Sequence, residues 1–169
     1  AYGLRPTPPV GSLDVPTEQA VAKAYGEVPA LLARGQVPMA FDRLRSIAQA
    51  SPGAASIQYQ LGELALELGR TADAMAAFTQ ASTTRPSDAE LSMAMAEALL
   101  AANRPADATA QADSAVMLAA AEPMSDLAAR AHATAALVAL GTGDADAAAT
   151  HAAAVDQIRG GHAWASYVR

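Results

Sequence analysis

The chain contains no cysteine, one lysine, seven aromatic residues and no long uncharged apolar run. Without cysteine there is no disulfide, no zinc–thiolate site and no thiol nucleophile, and the redox compartment stays open, since exported proteins also do without it. Two Phe, four Tyr and one Trp among 169 residues are too few for a β-sandwich or barrel core, which draws on aromatic and β-branched side chains. No apolar stretch reaches the roughly 18 residues that a membrane-crossing helix needs; the longest, Ala131 to Gly143, contains His132 and follows Arg130. Positive charge is also short. Eleven Lys+Arg against seventeen Asp+Glu leave a net charge of −6, the wrong sign for nucleic acid or an anionic membrane surface.

What the chain has is alanine, 47 of its 169 residues. Alanine is the best helix former, and its small side chain lets helices approach toward the ~8 Å end of their usual spacing. The composition predicts an all-α protein of closely packed helices. Ten of the eleven basic residues are Arg, with Lys23 the exception; together with the alanine this reads as a GC-rich coding bias, and so a bacterial source. Residues Ala1–Pro16 carry Pro6, Pro8, Pro9 and Pro16 with Gly3 and Gly11 and are expected to be an extended tether, either a spacer from a membrane anchor or a linker. A start at Ala1 with no secretory signal fits a processed protein or an excised domain. The tether favours a periplasmic or envelope setting over the cytoplasm.

A period of thirty-four residues runs through the chain. Gly35, Gly69 and Asn103 recur at that interval, followed by Gln36, Arg70 and Arg104, then by Ala40, Ala74 and Ala108. Glycine and asparagine are the residues that accept the left-handed conformation ending a helix. Leu44, Phe78 and Ala112 repeat, as do Ile47, Ala81 and Ala115, while Pro52 and Pro86 close the first two units. A fourth unit has a Gly141-Thr142-Gly143 turn, shifted in register by about four. Punctuation agrees with the period. Ser87 to Glu90 reads as a capping box, Ser51-Pro52 and Ser125-Asp126 as helix starts, Thr71 and Asp144 as caps of second helices, and Pro105 as a first-turn proline. The predicted pairs are 18–34 with 38–50, 54–68 with 71–84, 88–102 with 105–121 and 126–140 with 144–159. Pro29 is expected to kink or split the first helix.

Leu61-Gly62, Ala74, Phe78, Ala81 and Pro86 stand at the intervals of the tetratricopeptide-repeat signature, which the chain resembles over roughly 21–159. It departs from the signature at Gln58, where the family has Trp, at Ala65, where it has Tyr, and at Ala112, where a large residue is usual. The resemblance implies a right-handed α-solenoid of about four helix pairs, with units at about 21–52, 55–86, 89–121 and 126–159. It also implies a concave groove lined by the first helix of each pair, where peptides dock. Carried over slot by slot, Tyr25, Tyr59, Met93 and His132 lie ten residues before the turn. Pro29, Glu63, Glu97 and Ala136 lie six before, and Leu32, Leu66, Leu100 and Ala139 three before. The expected partner-binding set is Tyr25, Tyr59, Glu63, Leu66, Met93, Glu97, Leu100 and His132, against the alternative that the stripe packs between helices. Glu63 and Glu97 suit a partner with apolar and basic character. Members that clamp an acidic tail present Lys and Asn from these slots, so a carboxylate clamp is not expected.

Other chemistry has little basis. His132, His151 and His162 are the only imidazoles, and no two stand at the i, i+4 spacing of a helical metal site. His151 falls in a packing slot. No phosphate loop, nucleophile elbow or carboxylate pair stands out, and Asp144 and Asp146 read as first-turn acids, so no catalytic residue, metal or cofactor is expected. After Gly160-Gly161, Trp164, Tyr167 and Val168 share one face and are expected to form a short capping helix over 160–169 or the start of a further one. The expected role is a non-enzymatic module holding a peptide or partner subunit, as an adaptor or assembly factor in a bacterial, envelope or secretion complex. A substrate-recruiting part of a longer enzyme and a self-associating scaffold remain open, as does the oligomeric state.

Overall fold

The structure, a computed structural model, describes the backbone of residues 15–167 and the side chains of residues 22–160. The expected tether up to Asp14 lies outside the described residues, as do the side chains of His162, Trp164, Tyr167 and Val168. Among the described residues there are eight helices and no strand: α1 Val15–Ala33, α2 Val37–Ala50, α3 Ala55–Glu67, α4 Thr71–Ser82, α5 Ala89–Ala101, α6 Pro105–Ala119, α7 Asp126–Thr142 and α8 Ala145–Tyr167. None of the described helices is long and apolar enough to cross a membrane. The helices fall into two compact units, Ala1–Pro86 and Ser87–Arg169.

In the first unit α1 packs on α2, α2 on α3 and α3 on α4. Helix α2 buries Ala40, Phe41, Leu44, Ile47 and Ala48, the i, i+4, i+7 spacing of one helical stripe. Phe78 on α4 is fully buried against the backbone of α3, because Gly62 leaves room for its ring; burying a phenylalanine in this way contributes about 2–3 kcal/mol. The Phe41 ring, also buried, is faced by the Arg70 guanidinium at 4.6 Å and by that of Arg45 at 5.5 Å. Helix α1 includes Val15 and Pro16 and runs on through Pro29. The helix is not split at Pro29. Pro29 is exposed, so its ring displaces no packed neighbour, and its missing N–H costs one helical hydrogen bond.

In the second unit α6 packs against α5 and α7, α7 also reaches α5, and α8 covers α7. Its core is built mainly from alanine. Ala89 and Met93 on α5 meet Ala115 and Ala119 on α6, Ala128, Ala129 and Ala131 on α7, and Ile158 on α8. Small side chains at these crossings let the backbones come close.

All four pairs turn in one way. Gly35, Gly69, Asn103 and Gly143 have φ of 70°, 68°, 56° and 80°. In each turn the next residue donates its N–H five residues back: Gln36 to Leu31, Arg70 to Ala65, Arg104 to Leu99 and Asp144 to Ala139, at 2.8–2.9 Å. This is the double bond pattern of a left-handed helix stop. The fourth turn therefore centres on Gly143, forty residues after Asn103, six more than the thirty-four of the earlier units.

Three details of the punctuation differ from expectation. Asp88, one residue after Ser87, is the cap of α5 and accepts the Leu91 N–H at 3.2 Å. Thr71 is the first residue of α4, whose cap is Arg70 without a side-chain bond; α3 likewise starts behind Ala54 with Ser51 buried outside it. Ser125 and Asp144 do cap, accepting from the Ala128 and Ala147 N–H groups at 3.1 and 3.0 Å. The 160–169 segment is also different, because α8 continues unbroken through Gly160 and Gly161 to Tyr167. Glycine costs a helix about 1 kcal/mol relative to alanine but does not forbid it.

Candidate interaction surface

The common turn sets the register of the first helices. Leu32, Leu66, Leu100 and Leu140 each accept, three residues back, the N–H of the left-handed residue at 2.9–3.1 Å, so four leucines occupy one equivalent position. Counting from Gly143 corrects the fourth repeat by one residue: its slots hold Ala133, Leu137 and Leu140, and not His132, Ala136 and Ala139. One residue is about 100° on a helix. His132 consequently leaves the predicted stripe and turns toward α8, where its Nδ1 lies 3.0 Å from His151 Nδ1, the rings 5.3 Å apart. One ring must be neutral there to accept the other's N–H. Burial, then the neighbouring His151, pushes the His132 pKa below its usual value.

In the first unit, Tyr25 is buried and its hydroxyl donates to Gln60 Oε1 at 2.6 Å. Burial raises its pKa, with that hydrogen bond pulling the other way. It takes the packing alternative, as an inter-helix strut between α1 and α3. Tyr59 is half-buried, its ring tilted against Phe78 at 5.8 Å. Glu63 is exposed and Leu66 half-buried.

In the second unit, Met93 is buried in the alanine core and offers no contact surface, again the packing alternative. Its neighbours Ala115 and Ala119 are too small to fill the space that its long side chain takes. Glu97 is exposed as a residue, yet desolvation of its carboxyl raises the pKa against the pull of Arg130. Arg130 also meets Glu90, Nη1 to Oε1, at 3.1 Å. Leu100 is half-buried beneath α7, where a Cβ on Gly141 would stand 2.7 Å from Leu100 Cδ1. The leucines missed by sequence reasoning are Leu137 and Leu140, 58% and 62% exposed; the signal was the Gly143 turn, read from the wrong one of its three residues.

A concavity of about 330 Å³ lies in the first unit between α2, α3 and α4. Phe41 and Leu61 form its floor and Arg45, Gln49 and Asp73 its rim, while the Gln58 and Gln80 amides are held by the Ala48 and Pro52 carbonyls. No group of three or more potential metal ligands occurs among the described residues.

Two family models, each described as a tetratricopeptide repeat, match residues 65–131 and 25–89. No curated protein matches the sequence at significant similarity. Among solved structures, a form of the Podosopora anserina putative kinesin light chain with nearly identical TPR-like repeats is similar at TM-score 0.76 and 17% identity, over 88% of this chain and 78% of that one. MamA 41-end from Desulfovibrio magneticus RS-1 is similar at TM-score 0.71 and 17% identity, over 82% and 75%. PcrH, solved in complex with the chaperone binding region of PopD, is similar at TM-score 0.65 and 22% identity, over 74% and 95%. At these identities the likeness bears on the fold alone.

Proposed function

Because the chain belongs to the tetratricopeptide-repeat family, we propose that it is a non-enzymatic module that holds a protein or peptide partner against the first helices of its pairs, as an adaptor or assembly factor in a bacterial complex. The observation that carries this reading is the recurrence, in each unit separately, of an exposed glutamate with a half-buried leucine three residues on, the second pair differing in that the Glu97 carboxyl is partly desolvated and Leu100 lies partly under α7. These are Glu63 with Leu66 on α3, and Glu97 with Leu100 on α5. Positions three apart share one helical face. Tyr59, half-buried one turn before Glu63, adds a rigid amphipathic surface. Such faces fit a partner segment that alternates basic and aliphatic residues. PcrH, a structural neighbour, is a protein solved with a partner's segment bound, which agrees with this use of the fold.

The test is capture from a lysate of the source organism by the wild type and by a Glu63→Lys/Glu97→Lys chain. Circular dichroism checks that the variant keeps its helical content, because the Glu97 carboxyl is partly desolvated and interacts with Arg130. The reading predicts that partners recovered with the wild type, and eluted by salt, are lost from the variant. Equal recovery with both would refute it.

A further inference from the structure

The third and fourth pairs treat the same leucine differently. Leu100 on α5 and Leu140 on α7 are equivalent, since each carbonyl receives the N–H of the left-handed residue three positions on, Asn103 at 3.0 Å and Gly143 at 3.1 Å. Helix α7 crosses Leu100 at Gly141, where a Cβ would lie 2.7 Å from one leucine methyl and 3.2 Å from the other. Only a residue without a side chain allows that approach in place. At Leu140 no such helix lies among the described residues, and it is 62% exposed. The slot that holds Glu97 on α5 holds Leu137 on α7, 58% exposed. A carboxylate beside a covered leucine has become two uncovered leucines on one face, with half-buried Ala133 and Ala136 beside them.

Resting on the reading of the chain as an interaction module, we propose that Leu137 and Leu140 form a docking site for one α-helix of a partner protein, a helix that brings glycine to the crossing. The site continues the α5–α7 interface by one step within the second unit, so what covers Leu100 is the pattern for what covers Leu140. Two leucines supply no hydrogen-bond partner, and a helix needs none from them, because its backbone groups are already paired. A bulky residue at the crossing would hold the helix off both methyl groups.

The probe is a capped peptide of the α7 sequence, Asp126–Thr142, because that helix makes this crossing in the chain through Gly141. It is titrated against the intact chain with leucine methyl groups labelled for NMR. The expected result is perturbation centred on the Leu137 and Leu140 methyls, about tenfold or more weaker binding when the peptide carries Gly141→Leu, and no binding to a Leu137→Glu/Leu140→Glu chain. Those two residues are exposed, and the chain variant's helicity and unfolding midpoint are measured alongside. No perturbation, equal binding by the Gly141→Leu peptide, or unchanged binding to the double-glutamate chain overturns the proposal. Sedimentation equilibrium decides the other occupant: a wild-type dimer that the same substitutions dissociate would give the face to a second copy and overturn it too. Capture turns on Glu63 and Glu97 and the titration on Leu137 and Leu140, so either reading fails without the other.

Discussion

Gly62→Ala probes how closely α3 and α4 are packed. A methyl group in the middle of a helix normally stabilises it by about 1 kcal/mol over glycine. At Gly62 the new Cβ would lie 2.6 Å from Phe78 Cδ1 and 2.7 Å from Cζ, whereas carbon atoms pack at about 3.5–4.0 Å. The ring therefore has to retreat by about 1 Å. It is fully buried, and overpacking of this kind costs about 1–3 kcal/mol. The two effects leave Gly62→Ala neutral to about 2 kcal/mol destabilised. Gly26, inside α1, meets no atom within 4 Å of its Cβ, so Gly26→Ala keeps most of the helix gain of about 1 kcal/mol. The assay is urea unfolding of both variants by circular dichroism, with amide exchange in α3 and α4 as the local readout. A third chain combines Gly62→Ala with Phe78→Leu; the smaller side chain relieves the clash, and the double-mutant cycle is expected to return a coupling of about 1 kcal/mol. Gly62→Ala that stabilises as much as Gly26→Ala, with no coupling to position 78, would refute the reasoning.

Other outcomes follow from the turns, the caps and the histidine pair. Gly69→Ala, at φ 68°, is expected to cost about 1 kcal/mol, while Asn103→Gly, at φ 56°, gains a fraction of that, both read from unfolding midpoints. Asp88→Ala removes the side-chain acceptor from Leu91 N–H and is expected to cost about 1 kcal/mol. The lowered pKa of His132 means that the folded state disfavours its protonated form. Its stabilising contribution is then present above the unfolded-state value near 6.5 and is lost as pH falls below it through the folded pKa. A His132→Gln chain should show a shallower loss of stability than the wild type as pH falls below about 6.5; parallel curves would rule this out.

Where the sequence was legible, the residue type itself carried the geometry. Gly35, Gly69 and Asn103 are the residues that tolerate positive φ, and each sits at a left-handed stop. Pro105 and Ser125 likewise announce the helix starts they occupy. Burial within a repeat was harder to read. Tyr25 and Met93 share a slot with Tyr59, yet the first is tied to Gln60 and the second sits among alanines too small to fill the space around it, contacts made with other helices that one helix's periodicity does not display. The fourth repeat failed on its own ambiguity. Two glycines flank Thr142, and a choice that differs by one residue swings a helix face by about 100°, which placed His132 outward and hid Leu137 and Leu140. Thr71 misled because a capping residue type stands beside the actual cap, and Gly160-Gly161 because glycine weakens a helix without ending it.

The most direct measurement of partner binding by the first helices is site-specific photo-crosslinking in the source organism. A photoreactive residue is placed at Tyr59, Leu66 or Leu137 on first helices, and at Met39 or Met117 on second helices, where exposure reaches 57% and 76%. Partner adducts are expected from the first-helix positions and none above background from Met39 and Met117, although both are more than half exposed. Adducts that form equally or preferentially from Met39 and Met117 would contradict it.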